Sequence, residues 1–255
     1  MAQPPNENLA DWFVPQKLDE LQLTQFREQG FLVVGPVLTE AGLRLMREEC
    51  MTAWPEVKGP FKPDGTWLEN ALLINIHHHS ELVRRYYFSG PLVDFAEQLV
   101  SPNIKAATSQ LTFKLRGNTQ AFSWHHDNAY GELDPHSAIS CLTALDDTDE
   151  ENGCLRVIPG SHKAGQTDYR HTTEDKANHV PIEMPADESN AIPAPLKAGH
   201  SLIFHCHLLH KSDGNASRDR DRRVLFLRYA DADAVEVHNE RKPRLGRLVR
   251  GGSKF

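Results

Sequence analysis

Short apolar segments that alternate with polar residues dominate the chain from residue 103 onward, and this pattern constrains the fold most. The segments read KAATSQLTFKLRG, HSAISCLTAL, GCLRVIPG, HSLIFHCHLLH and RRVLFLRYA. Side chains of a β-strand alternate between the two faces of a sheet, so each segment predicts a strand. Gly, Pro, Asn and Asp separate the segments at short intervals. This spacing favours a β-sandwich or barrel over alternating strands and helices.

The chain before residue 103 carries helix signals instead. Gly30 is a typical stop signal after an amphipathic segment, and Thr39 is a candidate N-cap for the apolar residues that recur after it. With 255 residues, the chain has a length that barrel-like folds often reach as one domain. We therefore predict a single domain over residues 1–255. Its helical part would cover about 18–102 and its β core about 103–235.

Two polar segments interrupt or follow this pattern. Residues 164–198 contain several prolines and little periodicity, and a connection of that length is usually functional or mobile. The basic tail RKPRLGRLVRGGSK is short, so we expect a solvated and partly disordered end. Whether residues 164–198 close as a lid is left open.

The overall charge and the cysteines narrow the classes of protein. The formal net charge of −7 argues against nucleic acid or an anionic membrane surface as the main partner. No run approaches the 18 apolar residues of a membrane span. Four cysteines lie far apart without a CxxC pair, which is typical of a reduced, cytoplasmic protein. The sequence leaves the oligomeric state open.

The stretch FSWHHDNAYG contains the pattern that points to chemistry. If this stretch is extended, His125 and Asp127 face the same side and His126 faces the other. A histidine from a second strand would complete two imidazoles and one carboxylate on one side of an ion. Non-haem Fe(II) oxygenases use this set and leave coordination positions open, while zinc is the main competitor for the same ligands.

The third ligand is not fixed by spacing alone. The segment HCHLLHKS offers His205, His207 and His210, and in a regular strand the first two share a face. The run His77–His79 is a further cluster, but three consecutive histidines cannot all converge on one ion. We expect this run to be solvated or to line a pocket.

Taken together, the motifs resemble the phytanoyl-CoA dioxygenase family of Fe(II)- and 2-oxoglutarate-dependent oxygenases. The motifs are SWHHD, then LDDTDEENGCLRVIPGSHKAG, then LLHKSDGNASRDRDRR, and the resemblance runs from FREQGFLVV to about Tyr229. It implies a mainly β fold with flanking helices and a double-stranded β-helix core, that is, a cupin-like jelly roll. The implied cofactors are Fe(II), 2-oxoglutarate as cosubstrate and O2.

The resemblance also assigns the metal ligands. His125 and Asp127 match the first two positions, and His210 becomes the third because it leads HKSDGNAS. In the family, an arginine about eleven residues past the distal histidine pairs with the far carboxylate of 2-oxoglutarate. That position is an aspartate here, so Arg222 aligns best and Arg223 remains open. A guanidinium suits the task because it binds a carboxylate through two parallel hydrogen bonds.

Further residues are implied to contact the cosubstrate. Ser212 matches a family position that touches the same carboxylate, while Gln110 and Lys114 share one face of a strand that borders the cosubstrate. Leu142 replaces an aromatic residue that is frequent in the family. His162, in the PGSH motif, is expected to belong to a turn that joins strands.

The implied activity is hydroxylation of a small-molecule metabolite of lipid, amino-acid or natural-product type, with release of succinate and CO2. Asp127 favours hydroxylation, or a related desaturation or ring closure, because halogenating relatives lack this carboxylate. A non-catalytic, cupin-like metal or ligand binder is the alternative, and a zinc hydrolase is a third possibility. Trp67, Trp124 and Tyr130 are candidates for substrate contacts.

Overall fold

Helices come first in the chain, and their ends follow the predicted signals. The computed structural model describes residues 9–60, 71–118, 120–166, 170–171 and 182–255. The helices are α1 (Glu20–Gln29), α2 (Glu40–Lys58), α3 (Glu81–Ser89) and α4 (Pro91–Leu99). Gly30 ends α1 in the left-handed conformation, with φ of 82°. Thr39 caps α2, since its hydroxyl accepts a hydrogen bond from the Gly42 N–H at 3.0 Å.

Sixteen strands are formed by the described residues, and nearly all of the longer ones follow residue 103. They are β1 (Phe31–Val34), β2 (Leu72–Ile74), β3 (Ile104–Lys114), β4 (Phe122–His125), β5 (Leu133–Asp134), β6 (Ala138–Ala144), β7 (Leu155–Val157), β8 (Arg170–His171), β9 (Ile182–Glu183), β10 (Ile192–Ala194), β11 (Ser201–His205), β12 (His210–Ser212), β13 (Arg222–Asp231), β14 (Val235–Glu236), β15 (Lys242–Pro243) and β16 (Arg247–Arg250). Short 3₁₀ helices lie at Leu9–Asp11, Ile76–His78, Asp127–Tyr130, Ser161–Ala164 and Glu188–Asn190.

Two antiparallel sheets make up the core. The major sheet has the order β1-β11-β6-β13-β3-β16, and β2 adds to β3 on the same sheet. The minor sheet has the order β10-β7-β12-β4. This is the predicted mainly β architecture, a double-stranded β-helix flanked by helices.

Alternation along the strands of the major sheet gives it two different faces. Leu225 and Leu227 of β13 pack with the helices in a large apolar cluster. Val224 of the same strand belongs to a second cluster, which includes Leu155 and Val157 from the minor sheet. One face of the major sheet therefore packs against the helices, and the opposite face packs toward the minor sheet.

The structure does not divide at residue 103 into a helical part and a β core, as the sequence predicted. The strands β1 and β2 lie before residue 103, yet both pair within the major sheet. The prediction of a disordered tail is wrong for Arg247–Arg250, which form β16 and pair with β3. The backbone hydrogen bonds of an edge strand and the carboxylates near it hold this basic segment, because Arg250 pairs with Asp94.

The polar segment 164–198 is only partly within the described residues. Its later part contributes β9 and then β10, which pairs with β7 and so extends the minor sheet. Among the described helices, none is both long and apolar enough to cross a bilayer.

Candidate active site

Strand pairing brings two histidines from distant parts of the chain together. The last residue of β4, His125, lies directly opposite the first residue of β12, His210. Their ring centroids are 4.2 Å apart. The chain turns immediately after β4, and Asp127 opens a 3₁₀ helix that returns its carboxylate to the same side.

These three side chains form a compact, buried group. One ligand atom of each lies within 4.8 Å of the other two. The Oδ1 of Asp127 is 3.9 Å from the Nε2 of His125 and 3.7 Å from the Nε2 of His210. Ser140 donates a hydrogen bond to the other carboxylate oxygen, Oδ2, and this contact orients the carboxylate.

Backbone carbonyls fix which ring nitrogen of each histidine carries the proton. The Nδ1–H of His125 donates to the Ser123 carbonyl at 2.7 Å, and that of His210 donates to the Leu208 carbonyl at 3.0 Å. Both Nε2 atoms therefore present a lone pair toward Asp127. This arrangement is characteristic of metal-binding histidines.

The charge states of the group also suit a cation. Burial, and then the nearby His210, lower the pKa of His125 to about 3. Burial alone would raise the pKa of Asp127, but its electrostatic interactions with His210 and Arg228, together with the hydrogen bond from Ser140, lower it below its ordinary value. At neutral pH the group therefore combines a neutral His125 with a carboxylate. Metal ligands must be deprotonated in this way.

A cavity of about 360 Å³ lies between the two sheets and reaches the three side chains. Most of its wall is apolar, and a few polar groups point into it. Three protein ligands at the wall of such a cavity leave coordination positions that small molecules can reach. The lining residues include Leu72, Ile74, Phe122, Leu142, Leu155, Phe204 and Phe226.

Arg222 and Arg223 lie on opposite faces of β13. Arg222 lines the cavity and is 2% exposed, and its Nη1 donates to the Gly153 carbonyl at 2.7 Å. Its Nε has no hydrogen-bond partner among the described residues. Arg223 instead forms two hydrogen bonds with Asp146, at 2.8 and 2.6 Å. Arg222 is therefore the arginine that faces the cavity.

The other residues implied for the cosubstrate lie around Arg222. Ser212 lines the cavity, and its hydroxyl is 3.3 Å from the Nη1 of Arg222. Gln110 also lines the cavity, from the opposing part of β3. Lys114 is absent from the cavity lining and lies behind Ser212, since its Nζ donates to the Ser212 hydroxyl at 2.6 Å. Burial, and then the charge of Arg222, lower the pKa of Lys114 to about 6.

Four polar residues of this region were not predicted from the sequence. Ser140 supports Asp127, and Asn128 is fully buried beside it. Arg228 and Arg244 both line the cavity. Arg228 could have been found, because it shares the strand parity of Arg222 at an interval of six residues.

A second group of potential ligands lies outside the cavity, at His205, Cys206 and His207. One nitrogen of each histidine is already engaged. The Nδ1 of His205 accepts the backbone N–H of His207 at 3.1 Å, and the Nε2 of His207 lies 3.0 Å from the side-chain nitrogen of Asn128. His126 turns away from the cavity, as predicted, and its Nδ1 accepts the Ala129 N–H. These residues support the turn around Asn128.

The remaining candidates lie in different surroundings. The Nδ1 of His77 is 2.6 Å from the Ser109 hydroxyl, and the ring lies against Phe88 outside the cavity lining. Tyr130 lines the cavity, whereas Trp124 lies beneath Lys211 and outside the lining. Trp67 lies outside the described residues.

The PGSH motif forms a turn, as predicted. His162 lies in the 3₁₀ helix Ser161–Ala164, and its Nε2–H donates to the Arg27 carbonyl at 3.1 Å. It therefore contacts the end of α1 and lies outside the cavity lining.

Known proteins with similar sequences are oxygenases. The chain is 27% identical over 252 residues to the ectoine dioxygenase of Halomonas elongata, with 89% of this chain and 75% of the relative covered. It is 29% identical over 191 residues to the L-proline trans-4-hydroxylase of Streptomyces griseoviridis, with 66% and 70% covered. The names of these relatives do not support the two alternative functions considered from the sequence, a zinc hydrolase and a non-catalytic metal or ligand binder.

Solved structures agree in fold. The apo non-heme monooxygenase ThoJ superposes with a TM-score of 0.72 at 25% identity, covering 91% of this chain and 84% of the other. EctD from S. alaskensis with 2-oxoglutarate and 5-hydroxyectoine gives a TM-score of 0.71 at 21% identity, covering 92% and 86%.

The family model described as phytanoyl-CoA dioxygenase matches residues 26–224. This match spans the end of α1, the helices α2 to α4, the group of His125, Asp127 and His210, and the start of β13. The chain therefore belongs to the phytanoyl-CoA dioxygenase family and is an Fe(II)- and 2-oxoglutarate-dependent dioxygenase.

Proposed function

We propose that His125, Asp127 and His210 hold the ferrous ion of this enzyme, each through one atom. The observation that carries the proposal is the convergence of three buried ligand atoms within 4.8 Å at the wall of the cavity. Two imidazoles and one carboxylate leave positions open for the cosubstrate and O2. The carbonyls of Ser123 and Leu208 keep both imidazoles oriented for this task.

The proposed cosubstrate site is the end of the cavity around Arg222. A buried guanidinium is costly without a counter-charge, and no carboxylate lies within ion-pair distance of Arg222 in the part of the chain that the structure describes. The far carboxylate of 2-oxoglutarate would supply that charge. Ser212 would add a hydroxyl contact, Gln110 would border the cosubstrate, and Lys114 would act through Ser212.

The substrate in this proposal is a small-molecule metabolite that becomes hydroxylated. Ferrous ion and 2-oxoglutarate together supply the oxidation of a C–H bond by O2, with release of succinate and CO2. The protein contributes orientation and a site from which apolar residues such as Phe204 and Phe226 exclude water. Asp127 would supply the carboxylate ligand that halogenating relatives lack, which favours hydroxylation.

Metal and cosubstrate binding test these residue roles. Anaerobic addition of Fe(II) and 2-oxoglutarate to the wild type should give a weak visible charge-transfer band. Asp127→Ala and His210→Ala should give none, because each removes one ligand. His79→Ala is the matched control, since this histidine is exposed at the end of Ile76–His78 and is not part of the cavity lining. A band that survives in either ligand variant, or is absent from the wild type, would overturn the assignment.

The domain organisation and the location remain part of the proposal. The strands β1 and β16, from the two ends of the described chain, both join the major sheet, which supports one domain over residues 1–255. The four cysteines are free and buried, which supports a reducing, cytoplasmic environment. Limited proteolysis should release no stable fragment, and cell fractionation should recover the enzyme with cytoplasmic markers.

A further inference from the structure

A second arginine lines the cavity, at the other end of the face of β13 that carries Arg222. Arg222 pairs with Lys114 across the β-ladder, whereas Arg228 pairs with Thr108. Six residues of strand separate the two arginines, which places their Cα atoms about 20 Å apart. A five-carbon diacid bound at Arg222 does not extend to Arg228. The two guanidinium groups therefore serve different parts of the cavity.

Arg228 is held in place but lacks a counter-ion of its own. It is 7% exposed. Its Nη2 donates to the Asn128 side-chain oxygen at 2.9 Å, and its Nη1 lies 3.4 Å from the Asp127 carbonyl. Its Nε is buried without a partner, and none of the described acidic groups lies within 4.0 Å of it. A buried charge in this state is unfavourable unless a ligand neutralises it.

Arg244 provides a contrast in the same cavity. Its Nη1 donates to the carboxylate of Glu236, and its Nη2 donates to the Ala107 carbonyl at 3.0 Å. Arg244 thus has a counter-ion within the fold. A ligand is therefore not needed to neutralise the charge of Arg244.

Counting the charges of the loaded site shows what Arg228 lacks. The carboxylate of Asp127 offsets one of the two positive charges of a ferrous ion. The dianion 2-oxoglutarate then offsets the remaining charge of the ion and the charge of Arg222. Lys114, which lies behind Ser212 and outside the cavity lining, is held by acceptors of the fold. Arg228 is left as a cation at the wall of the cavity, close to Asp127, with no anion to pair with.

We infer that Arg228 binds an acidic group of the primary substrate, so that the substrate is a small carboxylic or phosphonic acid. The inference rests on the function proposed above. A guanidinium binds either kind of anion through paired hydrogen bonds. The cavity of about 360 Å³ is at the small end of ligand sites, at roughly 300–1,000 Å³, and it would also have to hold the cosubstrate. These dimensions favour a compact acid.

Paired probes test this inference on the anaerobic enzyme loaded with Fe(II) and 2-oxoglutarate. Acetate, L-proline and methylphosphonate are compared with acetamide, L-prolinamide and dimethyl methylphosphonate by calorimetric titration. At least one acid should bind the wild type at least about tenfold more tightly than its neutral partner, because one buried charged hydrogen bond is worth that much. The carboxylate and phosphonate arms show which anion the site prefers.

The variants assign any preference to Arg228. Arg228→Gln should abolish the difference between acid and neutral probe, and Arg228→Lys should keep part of it, since the charge remains. Arg223→Gln is the matched control on the same strand, because this arginine faces Asp146 outside the cavity. Circular dichroism and bound iron confirm that each variant is folded.

Three results would overturn the inference: neutral probes that bind the wild type as well as the acids, no binding of any acid, or a preference that survives in Arg228→Gln. A wild type that shows no preference for the acids refutes the inference even where a variant does not fold. The visible band of the loaded enzyme, recorded on the same sample, separates a failure of this inference from a failure of the proposed function. Its presence with no preference for acids would refute only the substrate class.

Discussion

Arg222 and Arg223 are neighbours whose side chains have opposite surroundings, and this contrast allows a direct test. Arg222→Gln should raise the dissociation constant of 2-oxoglutarate by about 10- to 100-fold, because hydrogen bonds to a charged group contribute about 1.5–3 kcal/mol. Arg223→Gln should leave this constant nearly unchanged, since its partner is Asp146. Calorimetric titration of the anaerobic iron-loaded protein measures both. Equal losses in the two variants would contradict the assignment.

Lys114 should couple cosubstrate binding to protonation. With a pKa of about 6, its amine is mostly neutral at pH 7–8 in the free enzyme. A carboxylate bound beside Arg222 and Ser212 would favour the ammonium form and raise this pKa. Binding should then take up a proton, and affinity should fall as the pH rises above about 6.

Titrations of 2-oxoglutarate in buffers with different ionisation enthalpies measure this proton uptake. The binding heat should vary with the buffer for the wild type and not for Lys114→Met. Lys197→Met, at an exposed ion pair with Asp147, should behave as the wild type. A wild-type binding heat that is the same in all buffers would refute the coupling.

Single residues also show where sequence reasoning stops. His125 and Asp127 follow from the HxD pattern, but strand spacing could not choose His210 over His205 or His207. The physical reason is that β11 ends at His205 and the chain turns before β12 begins. The regular alternation that the choice would need does not exist there. Only the resemblance to a family supplied His210 as the third candidate ligand.

The end of α1 and the PGSH turn contact each other at Gly30. A Cβ added to Gly30 would lie 2.4 Å from the Nδ1 of His162, and the backbone has a φ of +82°. Gly30→Ala should therefore lose about 1–2 kcal/mol to backbone conformation and a further 1–3 kcal/mol to overpacking. Gly117→Ala is the matched control, because its φ is +73° and its Cβ would meet nothing within 4 Å.

Denaturant unfolding monitored by circular dichroism gives the free energies for these glycine variants. Gly30→Ala should be less stable than Gly117→Ala by the overpacking contribution. Removing the ring with His162→Ala in the Gly30→Ala background should recover that part. Equal stabilities of the two single variants would show that α1 and the turn are not held by this contact.

Strand β16 shows why an element can be missed. The sequence RLVR lacks the apolar alternation of a buried strand, and both arginines suggest a solvated tail. In the structure, β3 supplies hydrogen-bond partners for the backbone of this segment. The carboxylates of Asp94 and Glu97 lie near Arg250 and balance its charge. These partners are about 150 residues away in the sequence, so no local pattern could predict them.

At the scale of the whole molecule, the sequence predicted the two-sheet architecture but not its exact membership. The alternating segments predicted β6, β11 and β13 as strands. These three strands are buried over most of their length and form the centre of the major sheet. The strands β1 and β2 are only four and three residues long, and β1 directly follows a helix. Their places depend on long-range pairing, which is decided by the assembled sheet and not by local propensity.

Stability of the whole domain should report occupancy of both sites. A ligand that binds only the folded state stabilises it by about 2.7 kcal/mol at one hundred times its dissociation constant. For a domain of this size this corresponds to a rise in Tm of about 5–10 °C. Anaerobic Fe(II) should produce one such rise in the wild type, and 2-oxoglutarate should then produce a second.

Two variants separate the rise in Tm caused by Fe(II) from the rise caused by 2-oxoglutarate. Asp127→Ala should lose both rises, since in the proposed site 2-oxoglutarate would bind through the ion as well as through Arg222. Arg222→Gln should keep the rise with Fe(II) and lose most of the second rise at the same concentration of 2-oxoglutarate. If Asp127→Ala kept the iron-dependent rise, the ion would bind elsewhere. The group at His205, Cys206 and His207 would then be the first place to look, because its ligand atoms also lie within 4.8 Å of one another.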